Sequence, residues 1–344
     1  MADSTPAFNA APPPMHTRIT GLFGIRYPIV QGGLAHLAYS GLAAAVSEAG
    51  GLGQIGMACF ETPEELRADI RKLKALTTRP FGVNFPLGHR PVEPFVDVAL
   101  EEGAHVISIT AGNPEGVLRH ITASGVKPQP RTMVLVAGIR AARKAQDLGA
   151  DAVIAVGYEG GGHLGRDDIG TLVLTPKIVE SVKIPVLASG GIMDGWGMAA
   201  GLALGADGVE LGTRFIAVQE CIAHQNYKQA LVDANEADTV IIERTLGRPA
   251  RVLRRGPLVE RILAAEDDLT RRGASREEAF EMIFPMIRGE MNKAAAIEGR
   301  LDEGFVWAGE GVGLIHDIPT ARELIERMVR EAASAMERMR GMFG

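Results

Sequence analysis

Through the first two thirds of the chain, short apolar runs alternate with stretches whose apolar positions recur every three or four residues. Eight runs stand out: Ile29 to Gln31, Leu52 to Gly56, Phe81 to Asn84, Val106 to Ile109, Met133 to Val136, Val153 to Val156, Val186 to Ala188 and Gly208 to Leu211. They are nearly all apolar instead of alternating, as expected of strands covered on both faces in a parallel sheet. Helical segments separate them. This rhythm predicts an α/β fold, a (β/α)8 TIM barrel.

The helical stretches carry their own boundaries. Thr62-Pro63-Glu64-Glu65 reads as a capping box with proline at the first helical position, and it opens a helix with Leu66, Ile70 and Leu73 on one face. Arg79-Pro80 stops that helix before the third strand, and Lys183-Ile184-Pro185 repeats the signal before the seventh. After the eighth strand the rhythm breaks. Residues from about 219 to 305 hold charged helical stretches such as GPLVERILAAEDDLTRRG, without a convincing parallel strand. The chain ends in DIPTARELIERMVREAASAMERM, where Thr320 and Glu323 form another capping box and Ile325, Val329, Ala332, Met336 and Met339 line one stripe. That segment is expected to be the eighth barrel helix. Residues 17–218 and 306–344 then make the barrel, and 219–305 a mainly helical insertion in the last βα unit, a lid domain at the mouth. Residues 1–16 read as a flexible leader.

Composition acts mainly by exclusion. The 344 residues are 46% hydrophobic and 23% charged, with a formal net charge of -6. That balance fits a globular protein and carries neither a nucleic-acid footprint nor an acidic tail. No apolar run reaches the roughly 18 residues of a membrane span. The leader lacks the basic and apolar regions of a signal peptide, so a cytoplasmic location is the expectation. Cys59 and Cys221 lie far apart without metal-ligand spacing, so neither a disulfide nor a zinc site is expected.

The candidate chemistry sits at the strand ends. Loops after the seventh and eighth strands of such barrels commonly bind phosphate. Here they read Ser189-Gly190-Gly191-Ile192 and Gly212-Thr213-Arg214-Phe215, offering unhindered amides and two hydroxyls, with a helix start near Asp194 to Gly197 behind the first. One Gly-Gly pair is a common turn signal, but two glycine loops on consecutive strand ends point to an anion site. The sixth strand runs into GYEGGGHLGRDD, where Gly161 and Gly162 allow close approach of a flat ligand and His163 is the group able to exchange a proton near neutral pH. A metal reading through Asp167 and Asp168 lacks a second His or Cys nearby, and no metal is expected. Asn84, closing the third strand, could meet a heterocycle edge or simply cap a turn.

As a set, PIVQGGL (28–34), AGGLGQIG (49–56), RPFGVN (79–84), EGGGHLG (159–165), PVLASGGIMDGWGMAAGLALGADGVELGTRF (185–215) and WAGEGVGLIHDIPTA (307–321) resemble the FMN-dependent nitronate monooxygenases, formerly called 2-nitropropane dioxygenases. The match runs from about residue 18 to the C-terminus. The resemblance implies an FMN phosphate held by Ser189, Gly190, Gly191, Gly212 and Thr213, a flavin lined by Gly33, Leu34 and Ala35, contact from Asn84, packing of Gly161 and Gly162 on the ring, and His163 as the catalytic histidine. It implies oxidation of alkyl nitronates with O2 to carbonyl compounds and nitrite, His163 serving as base or hydrogen-bonding the nitro oxygens. Relatives of this type also include flavin enoyl-ACP reductases and NADH:quinone reductases, so an NAD(P)H-dependent reduction of an enoyl thioester or quinone is the alternative. Partners are then a small-molecule substrate and O2, with no nucleic acid and no membrane; a homodimer is left open. Two departures stand out. Val156 replaces a Gln or Asp common in relatives, and the fifth strand, TMVLV, ends in apolar residues where some relatives are polar, so the flavin edge is expected to be drier than usual.

Overall fold

A computed structural model describes residues 10–88 and 90–343; His89, Gly344 and residues 1–9, most of the expected leader, lie outside the described residues. The strands β1 (Ile29–Gln31), β2 (Gly53–Gly56), β3 (Phe81–Pro86), β4 (Val106–Thr110), β5 (Arg131–Val136) and β6 (Ala152–Val156) follow the apolar runs in order. A two-residue strand, β7 (Gly162–His163), belongs to a different sheet, and β8 (Val186–Ser189) and β9 (Gly208–Leu211) complete the barrel wall. The eight wall strands pair in parallel in the order β1-β9-β8-β6-β5-β4-β3-β2, and a parallel bridge between Val30 and Leu52 closes the ring. This is the (β/α)8 TIM barrel that the apolar runs predict.

Helix α1 (Arg18–Phe23) precedes the wall, and α2 (Ser40–Glu48), α3 (Pro63–Leu76), α4 (Glu93–Glu101), α5 (Glu115–Ala123), α6 (Ile139–Asp147), α7 (Thr171–Ser181) and α8 (Gly195–Ala203) lie around it. Helix α1 has a distinct job. Its Ile19 and Phe23 pack against Val30, Val106, Met133, Ile154 and Leu187 inside the ring, plugging the end where the strands begin. The opposite end, where the strands finish, is left for chemistry. In α3 the capping box is formed as the sequence indicates, with Thr62 accepting from Glu65 N, and Leu66, Ile70 and Leu73 are fully buried.

Past β9 the chain forms α9 (Thr213–Ile216) and α10 (Gln225–Val232), then strands β10 (Thr239–Ile242) and β11 (Ala250–Leu253), then α11 (Gly256–Arg272), α12 (Arg276–Ile283) and α13 (Gly289–Ala296). The insertion is thus mainly helical, as expected, but it also carries an antiparallel hairpin that the charged helical pattern hid. It has its own core, built from Ile242, Ala250, Val252, Val259, Ile262 and Phe305 among others. The final helix, α14 (Ala321–Arg340), packs against both α8 and α2 and so occupies the eighth helical position of the ring.

From Pro12 onward the expected leader is tied to the barrel: the Tyr27 hydroxyl donates to Pro12 O at 2.6 Å and Met15 N to Arg26 O at 3.1 Å. Among the described residues no helix is long and apolar enough to cross a membrane.

Candidate active site

The loop after β8 is shaped by two consecutive left-handed residues, Gly190 at φ 98° and Gly191 at φ 74°. Only glycine adopts these without strain. Among the described residues the amides of Gly190, Gly191 and Ile192 donate to no acceptor, an unusual condition for partly buried backbone. Asp194 caps α8 just beyond, accepting from Gly197 N at 2.8 Å. Glu159, the one carboxylate of the GYEGGG stretch, lies beside Gly191 but takes its hydrogen bonds from Thr171. It accepts from the Thr171 amide at 2.8 Å and the Thr171 hydroxyl at 2.9 Å, so its charge is used at the start of α7.

Three further segments converge beside this loop. A methyl group at Gly161 would lie 2.7 Å from Ala308 C and from Gly309 N, and 3.1 Å from Thr213 Oγ1. The Gly309 amide donates to Thr213 Oγ1 at 3.0 Å and the Glu310 amide to Glu159 O at 2.9 Å. Glycine at 309 and 311 allows this passage: a methyl at Gly309 would sit 2.6 Å from Glu159 O, and one at Gly311 3.0 Å from Gly191 O. Thr213 opens α9, whose first amides have no acceptor within the helix. Gly212 is open on its Cα side, its nearest neighbour there being Leu34 Cδ2 at 3.7 Å. Thus Gly161, Gly191, Gly212, Thr213 and Leu34 share one rim.

Ser189 is placed differently from its neighbours. Its hydroxyl donates to Glu210 Oε2 at 2.6 Å and the residue is only 5% exposed, so it points into the barrel. Burial pushes the Glu210 carboxyl above its usual range, the Ser189 hydrogen bond opposing this in part. Asn84 likewise belongs to an internal chain: its Nδ2 donates to Ser108 Oγ at 2.9 Å, and Ser108 Oγ donates to Gln54 Oε1 at 2.5 Å. The Asn84 amide lies against Gly33, where a methyl would come within 2.0 Å of Oδ1. Gly33 is exposed and Ala35 half-buried on the loop beyond β1.

His163 stands one step beyond the converging loops. As part of β7 it pairs with Ala250 of β11, and Gly162, at φ 74°, pairs with Arg251. The insertion therefore fixes the backbone of the candidate catalytic residue. Its side chain is 45% exposed, with Nε2 3.5 Å from Glu243 Oε2 and the ring centroid 5.5 Å from that of Trp307. Arg251, nearly fully buried, ties the same strand to the mouth: Nη2 lies 2.8 Å from Glu310 Oε1 and donates to Tyr158 O at 3.0 Å, while the guanidinium stacks 4.5 Å from the Tyr158 ring. Sequence reading singled out neither Glu243 nor Arg251, and gave no role to Gly309 and Gly311. Only the glycine density of WAGEGVGLI hinted at the last two.

A barrel plugged at one end, with acceptor-less amides and a histidine gathered at the other under an inserted domain, is the architecture of a barrel enzyme. A family model described as nitronate monooxygenase matches residues 16–94 and 89–331, and the chain belongs to that family of oxidoreductases. The structure of FabK from Thermotoga maritima superposes with a TM-score of 0.86 at 40% identity, covering 95% of this chain and 99% of that one. A nitronate monooxygenase of Pseudomonas aeruginosa is 32% identical over 92% of this chain and 99% of its own length. A hydroxy-methyl-oxo-octahydroindene carboxyl-CoA dehydrogenase of Rhodococcus jostii is also 32% identical, over 94% of this chain and 97% of its own.

Proposed function

We propose that the mouth binds FMN and that the protein is a nitronate monooxygenase, oxidising alkyl nitronates with O2 to carbonyl compounds and nitrite. The observation that carries this reading is the set of acceptor-less amides at Gly190, Gly191 and Ile192, beside a rim kept bare of side chains at Gly161 and Gly212. A phosphate dianion satisfies such amides with charge-assisted hydrogen bonds, each contributing about 1.5–3 kcal/mol. The Thr213 hydroxyl, which already accepts from Gly309 N, retains its proton to donate. Ser189 contributes indirectly, its hydroxyl being engaged by Glu210. Leu34 and Gly33 with Ala35 would line the flavin, Gly161 and Gly162 would leave room for its ring, and Asn84 would contact its polar edge.

When bound, FMN supplies the electron chemistry, accepting electrons from the nitronate and passing them to O2. His163 acts on the neutral nitroalkane, taking the proton from the carbon beside the nitro group. Its position on a strand pair rather than a free loop keeps the imidazole in place. Trp307 lies beside it, the two ring centroids 5.5 Å apart.

The similarity to FabK, an enoyl-ACP reductase, supports a second reading in which NAD(P)H reduces the flavin and an enoyl thioester or quinone accepts the hydride. Anaerobic mixing separates the two. Bleaching of the flavin by propyl-2-nitronate but not by NADH or NADPH supports the monooxygenase. Rapid bleaching by a nicotinamide, with none by the nitronate, replaces it with the reductase.

A further inference from the structure

We infer that Glu243 is the positioning residue for His163, fixing the proton on Nε2 and leaving Nδ1 as the atom that takes the substrate proton. This inference rests on the reading of His163 as the base. Glu243 follows β10 directly, is 1% exposed, and has a left-handed backbone at φ 65°. A glutamate rarely holds that conformation unless its surroundings impose it. Here they do. The Glu243 amide donates to Glu266 Oε2 at 3.0 Å, and Glu243 O accepts from the amides of Leu246 at 3.2 Å and Arg248 at 3.3 Å. Glu266 also accepts from the Thr245 amide and hydroxyl, at 2.9 and 2.8 Å, so a second buried carboxylate is committed to holding this one turn.

The turn delivers a single acceptor. Glu243 Oε2 lies 3.5 Å from His163 Nε2 and 2.7 Å from Arg248 Nε, yet it accepts no well-directed hydrogen bond among the described residues. The Arg248 guanidinium compensates the buried charge, which would otherwise be costly to keep ionised. The imidazole is thus flanked by a carboxylate at Nε2 and by the Trp307 ring. A carboxylate partner selects the tautomer with the proton on the facing nitrogen. When the C–H bond of a nitroalkane breaks, the electron pair stays in the nitronate and the proton passes to Nδ1. The imidazolium so formed is stabilised by Glu243. A preformed nitronate has no proton to lose and gains less from this arrangement.

The test uses E243Q, with H163A alongside, in the FMN-loaded full chain. Long-range 15N–1H correlation of the histidine ring should show the Nε2–H tautomer for His163 in the wild type and its loss in E243Q. Turnover of neutral nitroethane should fall by about 10–100-fold in kcat, the usual effect of removing a partner that orients a functional histidine, with KM little changed. Turnover of ethyl nitronate should change by less than about threefold, because the step that Glu243 assists is bypassed. An Nδ1–H tautomer in the wild type, or equal losses on the two substrates, overturns the assignment. If E243Q loses its flavin or fold, E243D is read in the same way, its shorter side chain withdrawing the oxygen while keeping the charge. Full nitroethane turnover by H163A removes the base itself. Loss in H163A with full activity in E243Q removes only Glu243.

Discussion

Replacing Gly161 by alanine tests the convergence of loops at the mouth. The added methyl would sit 2.7 Å from two backbone atoms, Ala308 C and Gly309 N, and 3.1 Å from Thr213 Oγ1. Backbone cannot swing aside as a flexible side chain can. The 308–310 segment is also pinned, by Gly309 N to Thr213 Oγ1 at 3.0 Å and by Glu310 N to Glu159 O at 2.9 Å. Overpacking of this kind costs about 1–3 kcal/mol, and a lost hydrogen bond adds about 1 kcal/mol. If the flavin site takes up the strain, about 2–4 kcal/mol in all, FMN affinity falls by roughly 30- to 700-fold, since each 1.4 kcal/mol is tenfold. Fluorescence titration of the apoprotein with FMN measures this directly. Gly116→Ala is the control, as a methyl there meets nothing within 4 Å. Unchanged FMN affinity in G161A, with the melting temperature also unchanged, would refute the claim that this close approach shapes the site.

Other consequences follow from buried charge. Because burial raises the Glu210 carboxyl above 4.5, the folded chain holds that proton to higher pH than the unfolded chain does. The associated stability is complete below the unfolded value and is lost as pH rises through the folded one. The melting temperature of the wild type relative to E210Q should therefore decline as pH rises above 4.5; a constant difference would show that Glu210 does not titrate abnormally. Asp317→Asn should destabilise by about 3 kcal/mol, at the low end for breaking a buried pair because Asp317 is partly exposed. It leaves Arg214, 1% exposed, without the carboxylate that accepts from it at 2.7 Å, and it removes the carboxylate partner of Arg327 on α14. Urea denaturation reads this, and a loss below about 0.5 kcal/mol would contradict it.

The barrel was legible because its signals are local. Each wall strand is a run buried on both faces, as Ala152–Val156 illustrates, and each helix start at Thr62 or Thr320 is written in four residues. The hairpin of β10 and β11 was not. Its strands are four residues each, and β11 joins β7, a two-residue strand far away in sequence. No periodicity can reveal a pairing between Ala250 and His163. The same limit hid Glu243, since nothing in TVIIERTLGRP signals a left-handed glutamate. At the rim, glycine spacing identified the loops, but side-chain direction did not follow from it. Ser189 shares the inner face of β8 with Leu187, two residues before it, and finds its acceptor there in Glu210 of the neighbouring strand at 2.6 Å.

The central claim is that the open end of this barrel is an FMN site. An absorption spectrum of the purified protein, followed by release and quantification of the bound chromophore, tests it most directly. The account predicts a yellow protein that releases FMN stoichiometrically. A colourless protein that takes up no added FMN would contradict it.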